Sequence, residues 1–361
     1  MKPLLFLLGI AALTGCGKST EPSQTAPGYD FSPMRAELFD NAWKTEGVVV
    51  LHEGKIVFEE YAEGWNDATR HITYSVSKSF GSALLGIAID QGLIALEDSI
   101  CQYLTPPEGA DPTLCDTTIE HLVRMSSGLH WVESYSDPVD SNILPMLYGD
   151  EADMGLYAAL QPREVEAGER WSYSSGDSNL LARALRIALG DKDMRAWAKE
   201  NLFDRGGMTS AVFESDRSGT LVFSSSCFMT PRDMAKFGQL YLEDGMSGST
   251  RVLPEGWVEY TKTPAPPVAT PRPRDSNYDG GSYGAAFWLN GARSDAPVDT
   301  LAYSRAPADM FAAEGHWGQM IAIIPSRKLV VVRVGNDRDP GWDANAAMEL
   351  AVSVIDQREV K

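Results

Sequence analysis

The tetrapeptide Ser75-Val-Ser-Lys78 carries the residue types of a nucleophile and its activating base. It is the one Ser-x-x-Lys in the chain, and it opens an apolar stretch, residues 77–90, whose spacing predicts a buried helix. A separation of three residues places both side chains on one helix face. Burial of a lysine favours its neutral form, which can take a proton from a neighbouring hydroxyl. The helix N-terminus favours the negative charge that develops during attack.

Two later segments contain further groups that can move protons. Tyr173-Ser-Ser175 lies in mid-chain, and His316-Trp-Gly318 precedes the last apolar runs. Tyrosine and histidine are both common general acids and bases. Taken alone, Tyr173 is more typical of a half-buried core tyrosine and His316 of a structural histidine. Their neighbours in the sequence, rather than the two residues themselves, point to chemistry.

The elements that position these residues follow from hydrophobic patterning. β-rich runs at residues 47–51 and 55–61 predict a hairpin, and the late apolar runs predict strands at both ends of the chain. Between them, capping boxes at Thr117–Glu120 and Thr230–Asp233 predict helices. We therefore expect one α/β layer built from the two chain ends, with a helical insertion over it. The predicted strands near the C-terminus cover residues 285–290, 320–324 and 329–334. The predicted α/β part consists of residues 31–92 and 245–361, and the predicted helical part consists of residues 93–244.

Together the three motifs resemble those of the β-lactamase-like serine hydrolases, with continuous similarity from about residue 48 to residue 334. The surrounding phrases resemble the 6-aminohexanoate-dimer hydrolase branch; they are Ser126-Ser-Gly-Leu129, Tyr173-Ser-Ser-Gly-Asp-Ser-Asn179 and Gly315-His-Trp-Gly-Gln319. The resemblance implies an α/β fold of the α+β kind. In that fold an antiparallel β-sheet is flanked by helices and joined by a mostly helical inserted domain. This architecture agrees with the one predicted above from hydrophobic patterning.

The resemblance also implies roles for individual residues. Ser75 attacks a carbonyl, and Lys78 and Tyr173 share its proton, with the choice of general base left open. The backbone N–H groups of Ser75 and Gln319 hold the oxyanion. His316 is expected to hydrogen-bond toward Tyr173 or the leaving group. The expected substrate pocket contains Tyr135, Trp131, Ser175 and Trp317.

Two departures from the class C β-lactamase pattern bear on the substrate. Ser175 stands where that class has asparagine, and His316-Trp-Gly318 stands where it has Lys-Thr-Gly. The lysine that meets a substrate carboxylate is missing, so the sequence favours a small linear amide or ester. Two alternatives stay open: a β-lactamase or D,D-peptidase, and a binding or sensor module that keeps the fold without turnover.

The N-terminus is typical of a secreted lipoprotein. Residues 1–15 have a short basic start and an apolar run too short to span a bilayer, which predicts a signal peptide. Leu13-Thr-Gly-Cys16 resembles the bacterial lipoprotein box, so we expect a lipid on Cys16, a flexible tether over residues 16–30, and a periplasmic location, at the outer rather than the inner membrane. The alternative is a plain signal peptide with an incidental cysteine.

Composition limits the remaining possibilities. A formal net charge of −19 argues against nucleic acid as a partner. In an oxidising compartment Cys101 and Cys115 are candidates for a disulfide, and two free thiols are an equally open alternative. No His, Cys, Asp or Glu cluster has metal-ligand spacing, so we expect neither metal nor cofactor, and no pattern indicates an oligomeric state.

Overall fold

The computed structural model describes residues 24–136, 139–265, 282–291, 301–338 and 342–359. Its strands are β1 (Gln24–Thr25), β2 (Thr45–His52), β3 (Lys55–Tyr61), β4 (His71–Ile72), β5 (Val212–Phe213), β6 (Cys227–Met229), β7 (Met246–Ser247), β8 (Thr250–Arg251), β9 (Ser282–Tyr283), β10 (Trp288–Leu289), β11 (Phe311–Gly315), β12 (Gln319–Ile324) and β13 (Leu329–Gly335). Its α-helices are α1 (Ser32–Phe39), α2 (Val76–Asp90), α3 (Ile119–Val123), α4 (Ile143–Tyr148), α5 (Met154–Ala159), α6 (Ser175–Ala188), α7 (Met194–Ala198), α8 (Pro231–Leu242), α9 (Trp257–Lys262) and α10 (Ala344–Glu359).

The main sheet joins the two ends of the chain, as the patterning predicts. Its strand order is β1-β3-β2-β13-β12-β11-β10-β9, and every neighbouring pair is antiparallel. The predicted hairpin is β2–β3, and the predicted strands at 320–324 and 329–334 are β12 and β13. The segment 285–290 contains only the short β10, because Ala286 adopts a positive φ of 65° that interrupts extended backbone.

Both faces of this sheet are covered, which explains why β2 reads as a continuous apolar run. Val48 and Val50 pack on one face with residues of α1 and α10. Val49 and Leu51 pack on the other face with the cluster that includes Phe80 of α2. A strand buried on both faces loses the alternation of apolar and polar residues. The sheet is thus the middle layer of the α/β part.

Helix α2 carries the predicted nucleophile motif and is buried along almost its whole length, as its sequence predicts. Helix α8 lies on β2, β12 and β13, so it belongs to the sheet layer although the sequence places it in the helical part. The close approach depends on Gly238, where an added Cβ would lie 2.5 Å from Val330 Cγ1. An amphipathic pattern shows that a helix packs on something, but not on which layer.

Two boundaries differ from the sequence expectation. Gln24–Thr25 pair with β3, so the ordered fold begins inside the predicted tether of residues 16–30. The edge of β3 offers unpaired backbone groups that this segment satisfies. At α3 the N-cap is Thr118, which forms a capping box with His121, one residue later than the predicted Thr117–Glu120 box. Residues 1–23, including Cys16, lie outside the described residues.

Cys101 and Cys115 form a disulfide, which decides between the two open alternatives. The bond closes the segment that contains the two short 3₁₀ turns Ile100–Gln102 and Leu114–Asp116. Cys227 is a buried free cysteine in β6. In the portion of the chain that the structure describes, no helix combines the length and apolar character needed to cross a bilayer.

Candidate active site

Ser75 lies where β4 turns into α2. It is the N-cap of α2, and the preceding residue Tyr74 has a positive φ of 46°, a conformation that non-glycine residues rarely adopt. Lys78 lies one turn into the helix, and its Nζ donates a hydrogen bond to Ser75 Oγ at 3.1 Å. The structure therefore brings together the two residues of the predicted nucleophile motif at the start of a buried helix.

The ammonium group of Lys78 is buried and has three acceptors. Besides Ser75 Oγ, its Nζ donates to Ser175 Oγ at 3.0 Å and to the carbonyl of Ser224 at 2.9 Å. Burial lowers the pKa of Lys78 to about 8, although the nearby charge of Glu133 acts in the opposite direction. At pH 7 about a tenth of the lysine side chains are therefore neutral, and the lone pair of the neutral amine can accept the Ser75 proton.

The start of α6 supplies the second motif. Ser174 is the N-cap of α6, where its side chain accepts a hydrogen bond from Asp177 N, and this places Ser175 in the first turn against Lys78. The ring of Tyr173 lies beside the same ammonium, with Lys78 Nζ 4.9 Å from the ring centroid. Tyr173 is buried and stacks on Trp288 at 5.5 Å. Both predicted residues of this motif thus contact the lysine.

The carboxylate of Glu133 is a part of the site that the sequence analysis missed. Its Oε1 accepts hydrogen bonds from Ser175 Oγ at 2.5 Å and from the Tyr135 hydroxyl at 3.0 Å. Its Oε2 accepts from Trp131 Nε1 at 2.5 Å and from the Ser175 backbone N–H at 3.0 Å. One carboxylate therefore joins Trp131 and Tyr135, two of the predicted pocket residues, to the serine that faces Lys78.

The end of β11 approaches the predicted nucleophile closely. A Cβ added to Gly315 would lie 2.3 Å from the carbonyl oxygen of Thr73 and 3.3 Å from the backbone nitrogen of Ser75, so only glycine fits there. Gly315 pairs in register with Gln319, the first residue of β12. The N–H of Ser75 has no acceptor among the described residues. This arrangement suits the expected oxyanion site at the N–H groups of Ser75 and Gln319.

His316 and Trp317 follow Gly315 and form an aromatic wall beside the nucleophile. The ring of His316 lies 4.7 Å from that of Tyr135 and 5.8 Å from that of Tyr74. The ring of Trp317 lies 5.3 Å from that of Tyr74. Burial lowers the pKa of His316, which favours the neutral imidazole. The hydrogen bond expected from His316 toward Tyr173 or a leaving group stays a prediction.

The predicted site residues thus come from four separate segments and meet in one place. The sequence provided no indication of Glu133, because the residue that it binds, Ser175, is 42 positions away.

Among the residues that the structure covers, no three His, Cys, Asp or Glu side chains are grouped as metal ligands.

Fold and site together define a member of a known hydrolase family. The model of the Beta-lactamase family matches residues 36–354, so the chain belongs to that family, whose β-lactamase/transpeptidase-like fold it adopts. The expected family, fold and relation to the 6-aminohexanoate-dimer hydrolases are confirmed.

Individual relatives and solved structures have names that describe hydrolases. The chain is 26% identical over 261 residues to the 6-aminohexanoate-dimer hydrolase of Paenarthrobacter ureafaciens, a match that covers 68% of this chain and 64% of that protein. The structure of a putative 6-aminohexanoate-dimer hydrolase from Bacillus anthracis aligns with a TM-score of 0.65 at 22% identity, covering 88% of this chain and 78% of that one. A family VIII carboxylesterase aligns with a TM-score of 0.69 at 17% identity, covering 92% and 98%.

Proposed function

We propose that this hydrolase cleaves a small linear amide or ester through an acyl-enzyme on Ser75. The observation that carries the proposal is the hydrogen bond of 3.1 Å between Lys78 Nζ and Ser75 Oγ at the start of a buried helix. It joins a hydroxyl to a lysine whose pKa is lowered by burial. These are the two requirements for an activated serine nucleophile.

The reaction needs two half-reactions. In the first, Ser75 Oγ bonds to the carbonyl carbon, its proton passes to Lys78 or Tyr173, and the amine or alcohol leaves with that proton. In the second, water attacks the ester on Ser75 and gives one proton to the same base. The base returns this proton to Ser75 Oγ as the bond between that oxygen and the acyl carbon breaks, and the acid leaves. The backbone N–H groups of Ser75 and Gln319 are the proposed donors to the oxyanion in both steps.

A linear substrate fits the third motif better than a β-lactam does. The segment His316-Trp-Gly318 offers a neutral imidazole and an indole at the position where the class C pattern has a lysine. The relatives include a 6-aminohexanoate-dimer hydrolase and a carboxylesterase, which supports amide or ester cleavage. The β-lactamase alternative predicts turnover of a chromogenic cephalosporin as fast as that of a nitrophenyl ester.

A covalent probe tests the nucleophile. Treatment of a soluble form that begins after Cys16 with a fluorophosphonate should give one adduct by intact mass, on the peptide that contains Ser75. Ser75→Ala should not react, while the control Ser79→Ala, one helical turn further into α2, should still be labelled. An adduct on another serine, or no adduct, would exclude the proposed nucleophile.

The same variants separate an enzyme from a sensor. An enzyme should recover from acylation by a nitrophenyl ester and release acid repeatedly, whereas a sensor should release one equivalent of nitrophenol and stop. Multiple turnover that is absent in Ser75→Ala supports the proposal. A single stoichiometric burst without recovery supports the binding module.

We also propose that Cys16 carries a lipid that holds the protein at the periplasmic face of a membrane, with the outer membrane favoured. The support is the box Leu13-Thr-Gly-Cys16 after a short apolar run. The full chain, expressed in a bacterial host that is fed an alkyne-bearing palmitate, should incorporate the label and sediment with membranes. Cys16→Ser should lose both properties, and equal labelling of the two proteins would contradict the anchor.

A further inference from the structure

Two adjoining cavities form a groove that leads away from the active site. The larger has a volume of about 680 Å³ and the smaller about 160 Å³, and Glu46, Trp65 and Asn336 line both. The smaller cavity is also lined by Trp317, which belongs to the aromatic wall beside Ser75, and by Tyr74, whose ring contacts that of Trp317. The groove therefore begins at the active-site wall and runs past the start of β2.

The acidic residues of the groove are already engaged. Glu46 accepts a hydrogen bond from His71 Nδ1 at 2.9 Å. Asp337 accepts from the backbone N–H of Lys44 at 2.6 Å and forms a buried ion pair with Arg333. The charge of Asp337 is therefore balanced by Arg333, and Glu46 is held toward His71 by a hydrogen bond to one of its carboxylate oxygens.

Two cationic side chains of the groove, Lys44 and Arg338, are not engaged in this way, whereas Arg70 donates a hydrogen bond to the backbone carbonyl of Ser210. The guanidinium of Arg338 lies over the ring of Trp317, 4.4 Å from its centroid, and Arg338 is exposed. Among the described residues neither Arg338 nor the Lys44 ammonium has a hydrogen-bond or ion-pair partner. An arginine held on an indole keeps its five N–H donors available for a carboxylate. The groove is thus locally cationic in a chain whose net charge is −19.

The walls of the groove suit an apolar body with polar ends. Trp43 and Trp65 line the larger cavity, and Trp317 lines the smaller one. His71, whose side chain is 3% exposed, also lines the smaller cavity, and its buried Nε2 has no hydrogen-bond partner.

We propose that this groove binds a substrate segment with an apolar chain and a terminal carboxylate, and that Arg338 pairs with the carboxylate. The inference rests on the proposed hydrolase function and deepens it, because it assigns a specificity residue to that site. Arg338 follows β13 and contacts Trp317 from a different segment of the chain. Its charge also adds to the lowering of the His316 pKa, for which burial is the main cause, so the two side chains lie within electrostatic reach.

Binding can be tested without turnover. Titration of the wild-type protein with 4-phenylbutyrate should change tryptophan fluorescence, because three indoles line the groove, and 4-phenylbutanamide should bind more weakly. Arg338→Ala should weaken 4-phenylbutyrate binding at least about 10-fold, and Arg338→Lys should weaken it less. The control Lys55→Ala removes a positive charge from the start of β3, beside the end of β2 that is remote from the groove, and should bind like wild type. No binding, or equal weakening of acid and amide, would overturn the proposal.

Kinetics then test the link to catalysis. Two matched ester pairs are used, since the carboxylate can lie on either side of the scissile bond: 4-nitrophenyl adipate monoester with 4-nitrophenyl hexanoate, and 3-carboxyphenyl acetate with phenyl acetate. For at least one pair, Arg338→Ala should lower the ratio of kcat/KM for the acid to that for the neutral ester about 10-fold. Unchanged ratios in both pairs would overturn the role in specificity. If no ester is hydrolysed, the proposed function fails. The fluorescence titration still tests whether the groove binds a carboxylate through Arg338.

Discussion

Lys78→Met is expected to lower kcat/KM for a nitrophenyl ester by about 10²–10⁴-fold, the usual contribution of a general base. Methionine has nearly the same length and fills the buried space, but it has no lone pair that can take the Ser75 proton. The control Lys199→Met removes an exposed lysine whose partner is Asp204, and should leave kcat/KM unchanged. Activity of Lys78→Met within threefold of wild type would show that another group activates Ser75.

The pH dependence of the wild type provides a second test of the same role. Since the base must be neutral and the pKa of Lys78 is about 8, kcat/KM should rise about tenfold per pH unit below pH 8 and level off above it. Lys78→Met should lack this rising limb of the pH profile below pH 8. A wild-type profile that is flat between pH 6 and 9 would argue that Lys78 stays charged during catalysis.

Lys78 should also leave a signature in stability. The pKa of Lys78 is about 8 in the folded protein and 10.5 in its ordinary state, so between these values the unfolded chain binds more protons. The free energy of unfolding of the wild type, relative to that of Lys78→Met, should therefore increase by up to about 3 kcal/mol as pH rises from 8 to 10.5. Chemical denaturation of both proteins across this range measures the difference, and groups shared by the two proteins cancel.

Local sequence signals were enough to predict the framework that presents Ser75. The apolar run after Lys78 defines α2, and the runs at the two chain ends define the central strands, because burial requires hydrophobic residues at those positions. The similarity to known motifs connected Tyr173 and His316 to this helix. Hydrophobic periodicity alone contains no information about which distant segments meet.

The features that the sequence did not predict depend on tertiary contacts. Thr117 and Thr118 both fit a cap, and the choice of Thr118 depends on the His121 side chain reaching back to its backbone. The pairing of Gln24–Thr25 depends on an open edge of β3. Glu133 reads as an ordinary loop carboxylate until the loop folds over α6 and places it on Ser175. Each outcome is selected by a partner that is remote in sequence or by a single hydrogen bond.

Glu133→Gln is expected to lower the plateau value of kcat/KM by about 10-fold, through the positioning of groups around Lys78. Glutamine can still accept from Ser175 Oγ, but its amide nitrogen can accept from neither Trp131 Nε1 nor the Ser175 N–H. The network that joins Trp131 to Ser175, the hydrogen-bond partner of Lys78, is therefore weakened. Leaving such buried donors unsatisfied has a penalty of about 1–3 kcal/mol, which is consistent with a loss of this size.

The pH profile separates this positioning role from a purely structural one. The charge of Glu133 raises the pKa of Lys78 against the effect of burial, so its removal should lower that pKa further and move the rising limb of kcat/KM to lower pH. A loss of packing alone would reduce the plateau without moving the limb. The control Glu164→Gln removes the carboxylate that pairs with His130 and Arg170, and should leave the limb in place. An unmoved limb in Glu133→Gln would mean that Glu133 does not act on Lys78, because a carboxylate within electrostatic reach of a buried lysine must affect its titration.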